Sequence, residues 1–88
     1  MWYVYTIYSK KDRKLYTGCT NDLKTRIIQH NAGKVLATRF RRPFILIHYE
    51  AYLGKFDAFT REKWLKTGWG RNYLKRTLKH TLENYENH

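Results

Sequence analysis

Two short aromatic segments near the start of the chain constrain its fold more than any other feature. The first is Tyr3-Val4-Tyr5 and the second is Tyr16-Thr17-Gly18, and ten residues lie between Tyr5 and Tyr16. Aromatic and β-branched residues favour strands, and the polar segment between the two runs is rich in turn-forming residues. The pattern therefore predicts a β-hairpin that carries the phenols of Tyr5 and Tyr16 on paired strands.

Apolar periodicity in the rest of the chain predicts three helices and one more strand. The first helix starts near Asn21, a typical N-cap residue, and ends at Gly33. The apolar run at residues 44–49 predicts a buried central strand, and two further helices are expected over residues 54–67 and 71–82. The predicted fold class is α/β (α+β), with a small three-stranded, mainly antiparallel sheet flanked by about three helices.

The first strand is apolar on both of its sides, so helices are expected on both faces of the sheet. Tyr3, Tyr5 and Ile7 would point to one face, and Val4 and Tyr8 to the other. A chain of 88 residues is long enough for one modest core. We expect one domain over residues 1–83 and a frayed tail over residues 84–88.

Charge and cysteine content narrow the class of partner. Eighteen Lys and Arg against seven Asp and Glu give a formal net charge of +11, which favours polyanions, nucleic acid first, over basic partners. No apolar run approaches the ~18 residues of a membrane span, and strand-like sequence follows Met1 directly, so we expect no leader and no membrane contact. A single cysteine, Cys19, excludes a disulfide framework and is typical of a cytoplasmic protein.

The two tripeptides, taken with a later arginine, resemble the GIY-YIG nuclease family. Arg26 follows Gly18 by eight residues, as the family's arginine does. The resemblance extends from about Trp2 to Leu82 and is greatest to the small stand-alone members. It implies the GIY-YIG fold, an endonuclease activity and a set of catalytic residues, which here would be Tyr5, Tyr16, Arg26, His30 and Glu62.

The resemblance also implies roles for these side chains in hydrolysis of a phosphodiester. One tyrosine would activate the attacking water and the other would hydrogen-bond near the scissile phosphate. We take Tyr5 as the base and Tyr16 as the positioning group, with the reverse order left open. Arg26 would pair with phosphate oxygens, or else extend past the core edge into solvent. His30 would relay a proton or bind phosphate, or else be a hydrogen-bonded histidine at the core edge.

Glu62 is the acidic residue that local structure explains least. Helical projection places it between Ala58 and Leu65, where a carboxylate costs free energy unless it is paired. Its partner would be Lys66, four residues on, or a divalent cation. The resemblance makes Glu62 the only protein ligand of a single metal ion, and the oxygen-rich shell favours Mg²⁺ or Mn²⁺. Glu50, at the end of a strand, is the rival carboxylate.

Substrate contacts are expected from the basic loop, by which we mean residues 33–43. Val35, Leu36 and Phe40 are expected to tether this loop to the core, although basic runs are often only solvated. Asn72, ten residues after Glu62, stands about where the family often has a polar residue near the site. The predicted substrate-binding residues are Lys34, Arg39, Arg41, Arg42 and Asn72.

The resemblance thus implies a metal-dependent endonuclease, and we expect DNA as substrate in preference to RNA and a role in DNA repair or recombination. Cys19 stands directly after Gly18, where repair members can carry a lysine, which argues against a repair incision subunit. Targeting would come from a partner protein, a homodimer or substrate shape, or sequence specificity would be absent. The alternative function is a non-catalytic basic module that binds nucleic acid and retains the fold, and a small RNA-associated protein is a third.

Overall fold

A computed structural model describes residues 1–86 and shows a three-stranded antiparallel sheet with four helices. The strands lie in the order β2-β1-β3, so β1 is central and the other two are edges. The predicted α+β fold class is confirmed. In chain order the elements are β1 Trp2–Ser9, β2 Leu15–Thr20, α1 Leu23–Asn31, β3 Phe44–Tyr52, α2 Lys55–Leu65, α3 Gly68–Thr77 and α4 Lys79–Glu86.

The two faces of β1 bury separate apolar clusters, which confirms that both faces of the sheet carry helices. Val4 and Tyr8 pack against α2, α3 and α4, whereas Tyr5 and Ile7 pack against α1. Tyr16 of β2 lies on the same face as Tyr5. This division places the two phenols under α1, the helix that carries Arg26 and His30.

The strand over residues 44–52 is longer than predicted and lies at an edge of the sheet. It pairs antiparallel with β1 alone, and Tyr49 is 53% exposed. The expectation of a fully buried central strand is therefore wrong. The apolar run reflects contacts with helices on both faces, and apolar content alone does not reveal whether a strand has one neighbour or two.

Helix boundaries differ from the predictions at two places. Asp22, rather than Asn21, caps α1, because its side chain accepts a hydrogen bond from the backbone N–H of Thr25 at 3.2 Å. The single helix predicted for residues 71–82 is two helices that meet at Leu78, and the second continues through residues 84–86 of the predicted tail. Residues 87–88 lie outside the described part. Across residues 1–86 we find no helix both long enough and apolar enough to span a membrane.

Gly70 sets how closely α3 packs on α2, the helix that carries Glu62. A Cβ at this position would overlap the backbone of Trp64 and Leu65, whereas a Cβ at Gly68 would meet nothing within 4 Å. We expect Gly70→Ala to lower the free energy of unfolding by about 1–3 kcal/mol through overpacking. Gly68→Ala, the matched control, should leave it unchanged or raise it by about 0.4–1 kcal/mol. Urea unfolding measures both, and equal effects would contradict this view of the helix contact.

Candidate active site

Gly18 allows the hydroxyl of Tyr5 to lie directly against the backbone of the neighbouring strand. The two residues are partners in the β1–β2 register. A Cβ at Gly18 would stand 2.5 Å from the Tyr5 Oη atom, so no other residue fits there without moving the phenol. This close approach brings the Tyr5 hydroxyl to β2, an edge of the sheet.

A buried chain of hydrogen bonds runs from Tyr5 through His30 to Thr38. The Tyr5 Oη atom lies 2.7 Å from His30 Nε2, and His30 Nδ1 lies 2.7 Å from Thr38 Oγ1. The Thr38 hydroxyl in turn donates to the carbonyl of Val35. Every proton has an acceptor if the phenol donates to Nε2 and the Nδ1–H donates to Thr38, so we assign that tautomer. Tyr5 is therefore the donor and His30 the acceptor.

Burial keeps both members of the Tyr5–His30 pair uncharged in the free protein. Desolvation, with the neighbouring Tyr16 next, raises the pKa of Tyr5 well above its ordinary value, and Arg26 acts in the opposite direction. Desolvation followed by the Arg26 charge lowers the pKa of His30 to about 4. At neutral pH the pair is thus a phenol hydrogen-bonded to a neutral imidazole.

The lowered pKa of His30 predicts a loss of stability in mild acid. Between pH 6.5 and 4 the unfolded chain binds a proton that the folded chain does not, so the free energy of unfolding falls as the pH falls. A shift of this size is equivalent to about 3 kcal/mol. We expect His30→Gln to remove this part of the pH dependence and His80→Gln, which changes a side chain 95% exposed, to retain it. Urea unfolding at several pH values checks this, and identical slopes in the two variants would contradict it.

Arg26 and Tyr16 complete the face of the site that α1 covers. Arg26 is half-buried and lowers the pKa of both Tyr5 and His30, which shows that its charge acts at this pair. The Tyr16 ring lies edge-on to His30, with 5.3 Å between the ring centroids. The structure thus brings these four predicted residues together.

Glu62 reaches the same place from the opposite face of the sheet. Its carboxylate raises the pKa of Tyr5, and also that of Cys19 after desolvation, so it lies near the phenol. The Glu62 Oε2 atom is 2.8 Å from Lys66 Nζ, and that ammonium lies 5.9 Å from the centroid of the Tyr16 ring. Because β2 is an edge strand, side chains from α1 and α2 can meet beside it.

Other charged residues near the sheet have structural partners. Burial would raise the pKa of Glu50, but hydrogen bonds from Arg61, Tyr52 and His48 outweigh it and lower the pKa to about 2. Glu50 is thus engaged by three side chains of a local cluster, whereas Glu62 has Lys66 alone as its ion-pair partner. His48 is part of this structural cluster.

The predicted substrate-binding residues do not form one surface. Arg41 forms an ion pair with Asp12, and this hydrogen bond lowers the pKa of the Asp12 carboxyl to about 2. Asn72 is exposed on α3, and within residues 1–86 no hydrogen bond connects it with the site. The remaining three, Lys34, Arg39 and Arg42, are exposed on the basic loop.

A basic groove, which the sequence did not single out, leads away from the site along β2. Its volume is about 980 Å³, and it runs between β2 on one side and α3 and α4 on the other. The groove begins at Tyr16 and Lys66, and seven basic and two acidic side chains line it. The basic residues are Arg13, Lys14, Arg41, Lys66, Arg71, Lys75 and Lys79. The groove thus offers a predominantly basic surface beside the candidate site.

Thr38 is the residue of the site that sequence reasoning missed. Leu36 and Phe40 were expected to tether the basic loop, but both are exposed, and that part of the prediction is wrong. The tether is Thr38, which is fully buried against His30. A lone threonine in a basic loop gives no periodic or charge signal that would have identified it.

Comparisons with known proteins point to one family. A family model described as the GIY-YIG catalytic domain matches residues 1–76. The chain is 46% identical over 66 residues to a UPF0213 protein of Staphylococcus haemolyticus, which covers 74% of this chain and 79% of that protein. It is also 46% identical over 56 residues to a UPF0213 protein of Streptococcus pyogenes strain Manfredo, covering 62% of this chain and 61% of that protein. No solved structure gives a significant match.

Proposed function

The chain belongs to the GIY-YIG nuclease family, and from that premise we propose that it is an endonuclease that hydrolyses DNA phosphodiester bonds with Mg²⁺ or Mn²⁺. The observation that carries the proposal is the environment of Tyr5. Its hydroxyl is hydrogen-bonded to His30 over Gly18, and Arg26 and Glu62 are both close enough to change its pKa. A tyrosine that only fills the core needs no such set of charged neighbours.

Arg26 is suited to hold the scissile phosphate. Within residues 1–86 no carboxylate forms a salt bridge with its guanidinium, so its charge is available to a ligand. The planar fork can donate to two phosphate oxygens at once, which fixes orientation as well as charge. The same charge lowers the pKa of Tyr5, so substrate binding and activation of the phenol involve one residue.

Glu62 is the residue that would hold the cation. In the described part of the chain, no cluster of three or more His, Cys, Asp or Glu side chains could bind a metal. One carboxylate, with water and substrate oxygens in the other positions, fits Mg²⁺ or Mn²⁺ and does not fit zinc, which takes several nitrogen or sulfur ligands. Such a cation, when bound, stabilises negative charge on the phosphoryl group and makes a coordinated water more acidic.

Tyr5 and His30 are then the groups that handle the proton of the attacking water. Free Tyr5 keeps its proton because burial raises its pKa, and the negative charge of Glu62 adds to this effect. With a cation held at Glu62, the carboxylate would no longer oppose ionisation of Tyr5, while the charge of Arg26 would still favour it. The Tyr5 oxygen can then accept a proton from water as its own proton passes to His30 Nε2, with the imidazole held by Thr38.

One observation favours the second candidate, a non-catalytic module that binds nucleic acid. The ion pair between Glu62 and Lys66 gives the carboxylate a partner without any metal. A module of this kind would bind DNA through the basic groove and never cleave it. We also propose that the protein is cytoplasmic, as expected from the lone Cys19. Its targeting would come from a partner protein or from a homodimer.

The test of the proposed substrate uses end-labelled oligonucleotides of one sequence, prepared as DNA and as RNA in single-stranded and paired forms. Each is incubated with the protein and Mg²⁺, Mn²⁺ or a chelator. We expect DNA strands to be cleaved with either metal and to stay intact in chelator. Cleavage of RNA alone would contradict the proposed substrate, and binding of all forms without cleavage would favour the non-catalytic module.

A further inference from the structure

The tip of the basic loop presents two apolar side chains that the candidate site does not use. Leu36 and Phe40 are 77% and 72% exposed, and each lies two residues from Thr38, which is fully buried. Because Thr38 is anchored to His30, the loop cannot turn inward to bury both neighbours. A hydrogen bond from the Ser9 hydroxyl to the backbone carbonyl of Arg41 fixes the loop at a second point, after Phe40 in the chain. The exposure of Phe40 is therefore a property of an anchored loop.

The surroundings of Phe40 are basic. The chain has no acidic residue between residues 23 and 49, and Lys34 and Arg42 are exposed. The central guanidinium carbon of Arg39 lies 4.7 Å from the centroid of the Phe40 ring. An exposed aromatic ring surrounded by basic side chains is suited to bind a polyanion that also has flat apolar faces. Nucleic acid has this chemistry, because bases stack on aromatic rings while the backbone binds cations.

We propose that Phe40 stacks against an unpaired nucleobase of the substrate while its basic neighbours contact the adjacent phosphates. The inference rests on the proposed function and specifies the substrate class as DNA with unpaired nucleotides beside the cleaved bond. A base within a duplex has both faces covered by its neighbours, so it offers Phe40 no surface. Thr38 and His30 connect the loop to Tyr5, which places the stacked base near the scissile phosphate.

The experiment measures equilibrium binding in chelator, so that cleavage does not enter. Two labelled DNAs are compared, a fully paired duplex and the same duplex with an internal unpaired region. Phe40→Ala should weaken binding to the DNA with unpaired bases by about tenfold and leave the duplex unaffected. The salt dependence should not change, because no charge is removed. Phe40→Trp should restore binding, and Phe56→Ala, which truncates a ring 79% exposed on α2, should have no effect.

Two results would overturn the inference alone. An equal loss of affinity for both DNAs would exclude stacking on unpaired bases. Wild-type affinity of Phe40→Ala for both DNAs would show that the ring does not contact DNA and would favour a protein partner for it. The proposed nuclease function survives either result as long as the wild-type protein binds DNA and cleaves it with metal. Failure of the wild-type protein to bind either DNA would overturn the proposed function together with the inference.

Discussion

Tyr5→Phe is expected to reduce the rate of DNA cleavage by about 10²–10⁴-fold, the usual contribution of a general acid–base group. The substitution removes one oxygen, the atom that lies over Gly18 and donates to His30. The ring and its packing on Ile7 and Phe44 stay in place. Single-turnover cleavage of a labelled DNA measures the effect directly.

Tyr3→Phe is the matched control for this prediction. Tyr3 lies on the same strand and face, and its ring packs edge-on to Tyr49 at a centroid distance of 5.9 Å. Its loss of a hydroxyl should leave cleavage near the wild-type rate.

Tyr5→Phe also leaves the Nε2 atom of His30 without its buried partner, which should lower the free energy of unfolding by about 1–3 kcal/mol. Cleavage by Tyr5→Phe within a few-fold of wild type would exclude Tyr5 as the base.

Glu62→Gln is expected to abolish metal-dependent cleavage while the protein still folds and binds DNA. The amide keeps the size and helix propensity of the side chain but loses the charge that holds a divalent cation. Loss of the ion pair with Lys66 should cost only about 0.2–0.5 kcal/mol of stability. DNA binding in chelator should be equal or tighter, because one negative charge near the phosphate has gone.

The control for Glu62→Gln is Glu83→Gln, which removes a carboxylate that is 52% exposed on α4. Both variants lower the negative charge of the protein by one, so a general charge effect would appear in both. Cleavage rates measured as a function of Mn²⁺ concentration distinguish loss of the metal ligand from a general charge effect. Activity of Glu62→Gln at the wild-type rate would mean that the carboxylate only pairs with Lys66.

Much of the site follows from local patterns. The period of two along strands places Tyr5 and Tyr16 on one face, and the hairpin register brings Gly18 opposite Tyr5. The helical period places Arg26 and His30 together on α1. These residues are close in sequence or paired through one turn, so their spacing predicts paired strands for the two phenols and one helix for Arg26 and His30. The register itself is seen only in the structure.

The missed features depend on contacts between distant segments. Thr38 meets His30 because of the path of the basic loop, which has no repeating pattern. Lys66 lies beside Tyr16 of the edge strand β2, and strand order cannot be read from apolar content. Ile28 is an apolar residue of α1 and yet is 59% exposed, since a helix packed across a small sheet covers only part of its apolar side.

The most direct test of the proposed nuclease is the conversion of supercoiled plasmid to nicked circles by the purified protein. Wild-type protein, Glu62→Gln and Tyr5→Phe are incubated with Mg²⁺, with Mn²⁺ and with chelator, and binding of each variant is measured in parallel. We predict nicking by the wild type with metal only, and little or none by either variant, although all three bind DNA. Nicking that persists in chelator, or that both variants retain at the wild-type rate, would contradict the proposed site. A wild-type protein that binds the plasmid and never nicks it would identify a binding module.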